Sequence, residues 1–173
     1  MNKKKRVNIR IILFLNLILL IFVLSLFFHN YAGDFSKGLI MITDFPSILG
    51  IIVITVPCML IMGIWHDFIS SFSIGIKQYT LLQLKNINEA VVTCQKLILY
   101  SGLIEFIISI IVILFSLESP DNLAAFLAVA TLSAFYTVVF EYLVLPLKVN
   151  ATLALNQAMD VDEEWSSGIK ITL

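Results

Sequence analysis

Four apolar runs, each about as long as a bilayer is thick, constrain this chain more than anything else in it. A membrane-spanning helix needs about 20 predominantly apolar residues, because it rises 1.5 Å per residue through a hydrocarbon core of about 30 Å. The first run extends from Ile11 to Phe28, interrupted by Asn16 and Ser25. The second extends from Pro46 to Trp65 with Pro57 inside it, and the third from Leu97 to Leu117. The fourth extends from Leu123 to Leu147, with Pro146 at its end. Of the 173 residues 60% are apolar and only 13% charged, against about 25% charged in a soluble domain. So apolar a chain cannot cover itself with polar groups in water. The expected fold class is all-α: one integral membrane domain of four transmembrane helices.

Three polar connections join the runs: His29 to Phe45, His66 to Lys96, and the tight turn Glu118-Ser-Pro-Asp-Asn122. Asp121 or Asn122 suits the N-cap of the fourth helix. Lys3, Lys4, Lys5 and Arg6 before an apolar run also describe a signal peptide. The first run, however, exceeds the 7–15 residues of a signal core and is followed by no small-x-small cleavage site, so an uncleaved helix is expected. With a cytoplasmic N-terminus, four spans place ten of the eleven basic residues inside and only Lys37 outside. That bias is the positive-inside rule, and both termini are expected in the cytoplasm. Within residues 66–96, Leu81, Leu82, Leu84, Ile87, Val91 and Val92 recur at helical spacing and predict an amphipathic helix leading into the third span. Asp160-Val-Asp-Glu-Glu164 reads as a short, solvated acidic tail within 160–173.

The usual soluble chemistries find no footing. No basic face interleaved with aromatics points to nucleic acid. No phosphate-binding glycine loop, zinc motif or nucleophile elbow is present, so neither an enzyme nor a bound cofactor or metal is expected. Cys58 and Cys94 lack neighbouring ligand residues and read as ordinary thiols. His66-Asp67 offers an interfacial proton relay or, more simply, a helix end meeting water.

The informative residues are polar ones inside the last two runs. Ser101, Glu105 and Ser109 are spaced four apart, with Ser116 following; Ser133, Thr137 and Glu141 repeat the spacing, beside Ala130 and Ala134. At about 100° per residue each set forms one stripe. A carboxyl at depth is costly, by about 2.5–3.5 kcal/mol on insertion scales, and marks an ion path by default. By helical rise Glu105 lies about 12 Å in from Leu97, and Glu141 about 8 Å in from Pro146. Both are therefore expected in the cytoplasmic half at similar depth, lining one vestibule. The plainer alternative makes the hydroxyls glue between helices and lets Glu141 reach headgroup water.

Asp44-Phe-Pro-Ser47 at the start of the second run resembles the Asp-x-Pro-Ser of MotA-type flagellar stator proteins. Leu117-Glu-Ser-Pro-Asp-Asn-Leu123, Ala128-Val-Ala-Thr-Leu-Ser-Ala-Phe-Tyr136 and Leu143-Val-Leu-Pro146 resemble that family's turn and fourth helix. The resemblance covers residues 40–150 loosely and 117–147 best. It implies a small member of the MotA/TolQ/ExbB proton-channel family, in the bacterial inner membrane. It further implies a homo-oligomeric ring, a pentamer, around a single-span partner that carries the essential aspartate. Matched onto the family, Asp44, Pro46, Ser47, Tyr136 and Pro146 are structural positions, and Ser133 takes the place of a channel Thr. The family's large cytoplasmic domain is absent, a second channel Thr is Ala134, and the Gly after Tyr is Thr137. Two readings follow: protons pass beside Glu105, Glu141, Ser133 and Thr137, or the chain is a non-conducting scaffold binding lipid or a partner helix.

Overall fold

The computed structural model describes residues 9–32, 44–115 and 123–170, and among them every regular element is a helix. In chain order these are α1 (Ile9–Ala32), α2 (Phe45–Ile61), α3 (Trp65–Ser71), α4 (Leu81–Phe115) and α5 (Leu123–Lys170). The basic N-terminal run, the loop carrying Gly33, Asp34 and Lys37, Ser116 and the turn 118–122 lie outside the described residues. Among the described residues three helices, α1, α4 and α5, are long and apolar enough to cross a bilayer. Their exposed surface carries Phe14, Phe22, Leu103, Ile108 and Val138, each at least 50% exposed. Water does not tolerate such continuous apolar faces, and acyl chains do.

Four boundaries differ from the sequence reading. The helix that begins the first span runs 24 residues, through His29 to Ala32. The second run is not one straight rod: α2 stops at Ile61 and α3 leaves at 108° to it. Gly63, at φ 70°, makes the turn. Its N–H donates to Leu60 O at 3.1 Å, and the Ile64 N–H donates to Met59 O at 3.1 Å. This pair of bonds is the Schellman motif, which needs a left-handed residue and so selects glycine. Ile64 and Met59 complete it by packing in the same cluster. Beyond the bend, the rings of Trp65, Phe68 and Phe72, the last just past the end of α3, meet tilted and then edge-on, with centroid separations of 6.2 and 5.8 Å.

The expected amphipathic helix and the third span are one 35-residue helix, α4, about 52 Å long. The fourth span does not end at Pro146. α5 passes through it and continues to Lys170, 48 residues in all, so the acidic segment is helical. Proline removes one hydrogen bond and favours a kink, but the helix is held on both sides of it. Val144, Leu147, Ala151 and Ala154 are buried at alternating spacings of three and four, facing Leu84, Ile87, Val91 and Cys94 of α4. Such spacing makes an antiparallel seam, and alanines let the two backbones approach closely.

Polar contacts fix the register. Thr152 donates to Asn88 Oδ1 at 2.9 Å, and Gly102 sits against Thr137 at the other end of the seam. Tyr142 donates to Asn16 Oδ1 at 2.9 Å and ties α1 to α5.

Candidate functional site

The hydroxyl stripes of α4 and α5 turn inward, onto the same chain. Ser101 and Ser133 are fully buried, and Thr137 is nearly so. Ser101 donates to Leu97 O at 2.6 Å, and its oxygen lies 3.1 Å from Thr55 Oγ1 on α2. A serine hydroxyl has one proton, so Thr55 is the donor of that pair. Ser133 donates to Ala130 O and Thr137 to Ser133 O, at 2.9 and 2.8 Å. Ser109 is half-buried and donates to Glu105 O at 3.0 Å. Back-bonding of this kind satisfies a hydroxyl within its own helix, and leaves its lone pairs towards the neighbouring helix. Thr137 packs on Gly102, where only a residue without a side chain admits it. The stripes thus join α2, α4 and α5 of one chain.

The start of α2 brings together residues that the sequence keeps far apart. Asp44 is extended (φ −111°, ψ 97°), with proline in the first turn, and its carbonyl accepts the Ile48 N–H at 3.3 Å. Its own N–H donates to the Tyr136 hydroxyl at 3.1 Å, which fastens this corner to α5. Ser47 is fully buried and donates its proton to the Asp44 carboxylate. Glu105 of α4 lies over Gly50: a Cβ on that glycine would stand 2.8 Å from Oε1 and 2.9 Å from Cδ. Glu105 Oε2 is buried and has no hydrogen-bond partner. The Ser47 hydroxyl and the Asp44 carboxylate both lie near the Glu105 carboxyl. Two carboxyls therefore flank one hydroxyl, in a setting that water does not fully reach.

Glu141 stands elsewhere. It is half-buried and interacts electrostatically with Cys94 and Lys148. With Gly102 opposite Thr137, Glu105 is level with residue 134 of α5, seven residues from Glu141. The separation along the axis is about 10 Å. The single vestibule expected from equal depths is not formed. Depth had been measured from Leu97 and from Pro146, but Pro146 is no helix end and is level with residue 93.

Gly50, Gly102 and Thr55 escaped the sequence reading, and Asn16 entered it only as a break in the first run. The glycines had a signal, since a small residue beside a polar one within a span marks a close helix crossing. Pro46 lies in the first turn of α2, and Pro146 borders a cavity of about 300 Å³ between α1 and α5 that Asn16, Tyr142 and Asn150 also line. His66 and Asp67 lie 3.9 Å apart at an open position, with the His66 side chain 92% exposed. Comparison with family models, curated proteins and solved structures finds no match to this chain.

Proposed function

We propose that this chain is a four-span membrane subunit with both termini in the cytoplasm, and that it relays protons through its own interior. In this topology α2 is the second crossing and α3 lies along the cytoplasmic interface, its aromatic face against the core. The register set by Asn16 and Tyr142 brings Arg10 level with Lys148, and two cations at one level mark an interface. From there Glu141 is about 10 Å into the membrane and Glu105 about 21 Å. Between them lie Ser101, Thr55 and Thr137, and beyond them Ser47 and Asp44. Polar groups therefore recur along the full depth of the α2–α4–α5 junction.

The observation that carries the reading is the unpartnered, buried Oε2 of Glu105, one hydroxyl away from Asp44. Two adjacent carboxyls in low dielectric do not both ionise. Ser47 directs its proton at Asp44 and lies beside the Glu105 carboxyl, so a proton taken from Glu105 can be passed on as Ser47 gives up its own. The unit is then an acid, a hydroxyl and a carboxylate in series, through which a proton moves from Glu105 to Asp44 by two short transfers. On the resemblance to the MotA/TolQ/ExbB family, such subunits form a ring around a single-span partner in the bacterial inner membrane. On this reading the relay lies inside each subunit, and the apolar outer faces are left to meet ring neighbours and lipid.

The test is proton flux into liposomes carrying the protein purified with whatever accompanies it, read with an internal pH dye. Glu105→Gln and Asp44→Asn are each expected to reduce flux at least tenfold while helix content stays the same. Flux unaltered in both variants removes the pair from any path. The scaffold reading is favoured by the Thr55–Ser101 bond and the Gly102–Thr137 contact, which serve equally well as glue. It predicts no flux above empty vesicles from the wild-type protein.

A further inference from the structure

The open groove between α1 and α5 is walled mostly by apolar side chains, yet its polar groups do not suit hydrocarbon. Ile12, Leu145, Val149 and Leu153 form much of a cavity of about 300 Å³, and the last three are about half exposed. Asn16, Tyr142 and Asn150 also line it. Asn16 and Tyr142 bond to one another, six residues inward of Arg10 and Lys148, or about 9 Å. Asn150 lies at the other end, two residues beyond Lys148. Its Nδ2 is buried and has no hydrogen-bond partner among the described residues. A second polar group opens on the same side. Pro146 borders the cavity and has no N–H, so the Tyr142 carbonyl four residues back lacks its helical donor. One wall therefore carries a donor that needs an acceptor and an acceptor that needs a donor.

An acyl chain, which the apolar walls would suit, offers neither. Water offers both, and a proline in a membrane helix is tolerated where water satisfies the carbonyl it frees. The cavity has room for on the order of ten waters at liquid density. The Asn150 amide turns about a broad χ2 torsion, so its nitrogen can be presented to the space that its side chain already lines. We propose that this groove is a hydrated crevice, in which water enters between α1 and α5 from the cytoplasmic face as far as the Asn16–Tyr142 bond. The direction of entry rests on the four-span topology proposed above. The crevice brings bulk water to the level of Glu141, the residue before Tyr142, while the Glu141 carboxyl faces Cys94 and Lys148. The dry thickness beside the relay falls from about 30 Å to about 21 Å.

Cysteine accessibility of the full-length protein in lipid nanodiscs tests this. A charged methanethiosulfonate reacts with the thiolate, which forms in water and is suppressed in apolar surroundings. Leu145→Cys stands in the crevice, three residues inward of Lys148. Phe14→Cys is the lipid-facing control: Phe14 is 62% exposed and lies about 200° round α1 from both Ile12 and Asn16. The crevice position should label about tenfold faster than the control. Mass spectrometry peptide by peptide scores Cys58 and Cys94 apart. Adding Asn150→Leu should slow labelling of Leu145→Cys about threefold, the weight of one hydrogen bond. Equal rates at the two positions, in variants whose circular dichroism is unchanged, overturn the inference in favour of an acyl chain in the groove. Labelling is read without flux, so rapid labelling of Leu145→Cys in a protein that passes no protons keeps the crevice and removes the relay. Flux with equal labelling does the reverse.

Discussion

Substitution of Gly102 by alanine isolates the crossing that holds α4 on α5. A Cβ at that position would stand 2.7 Å from the Thr137 Cβ and 2.8 Å from its Cγ2, with Oγ1 overlapping as well. Rotating χ1 removes Oγ1 and Cγ2 from the contact. It does not move Cβ, which is fixed to the α5 backbone. Carbon atoms rest at about 3.5–4.0 Å, so the helices must separate by about 1 Å. That displacement also stretches the Thr55–Ser101 bond, because Ser101 rides on the same turn of α4. Overpacking costs about 1–3 kcal/mol, and a clash against an immobile atom falls at the upper end. Replacing glycine within a helix returns up to about 1 kcal/mol. The net loss is about 2 kcal/mol, or a factor of about 30 in the folding equilibrium. Titration with sodium dodecyl sulfate in mixed micelles, followed by circular dichroism, reads it directly. Thr137→Gly in the Gly102→Ala background removes the obstructing Cβ and should recover most of the loss. A Gly102→Ala variant as stable as wild type, or more so, would refute the close crossing and the register drawn from it.

Other consequences are testable separately. Gly63→Val forces a β-branched residue to φ 70° and should cost at least 1–2 kcal/mol, measured by the same titration; a neutral result would mean that α2 and α3 are not joined by a left-handed turn. Thr55→Val combined with Ser101→Ala in a double-mutant cycle should show a coupling of about 0.6 kcal/mol, the usual worth of a hydroxyl bond between membrane helices. A coupling of zero would show that the two oxygens do not meet.

Most of the helical framework was legible in the residues. Hydropathy located α1, the start of α2, and the apolar lengths of α4 and α5, because a bilayer imposes one length and one polarity on whatever crosses it. Periodicity found the amphipathic stretch that opens α4. What failed were inferences from single residues about long-range geometry. Pro146 reads as a stop signal, yet packing of Val144, Leu147 and Ala151 on either side outweighs the one bond that proline removes. Gly63 lay inside an apolar run, and hydropathy is blind to a residue chosen for its φ angle. The meeting of Asp44 with Glu105 was invisible for a different reason. It depends on how α2 is seated against α4, and stripes of small and polar residues give the face of a helix but not the level at which it meets another.

The unbroken length of α5 has a mechanical consequence. From Pro146 to Lys170 the helix rises about 36 Å, and packing of Leu147, Ala151 and Ala154 on α4 stiffens the part nearest the proline. A tilt of about 5° there sweeps the far end through about 3 Å, the scale of a hydrogen bond made or broken. A small change in the angle of α5 is thus read out at Lys170 as a displacement larger than anything its buried seam with α4 undergoes.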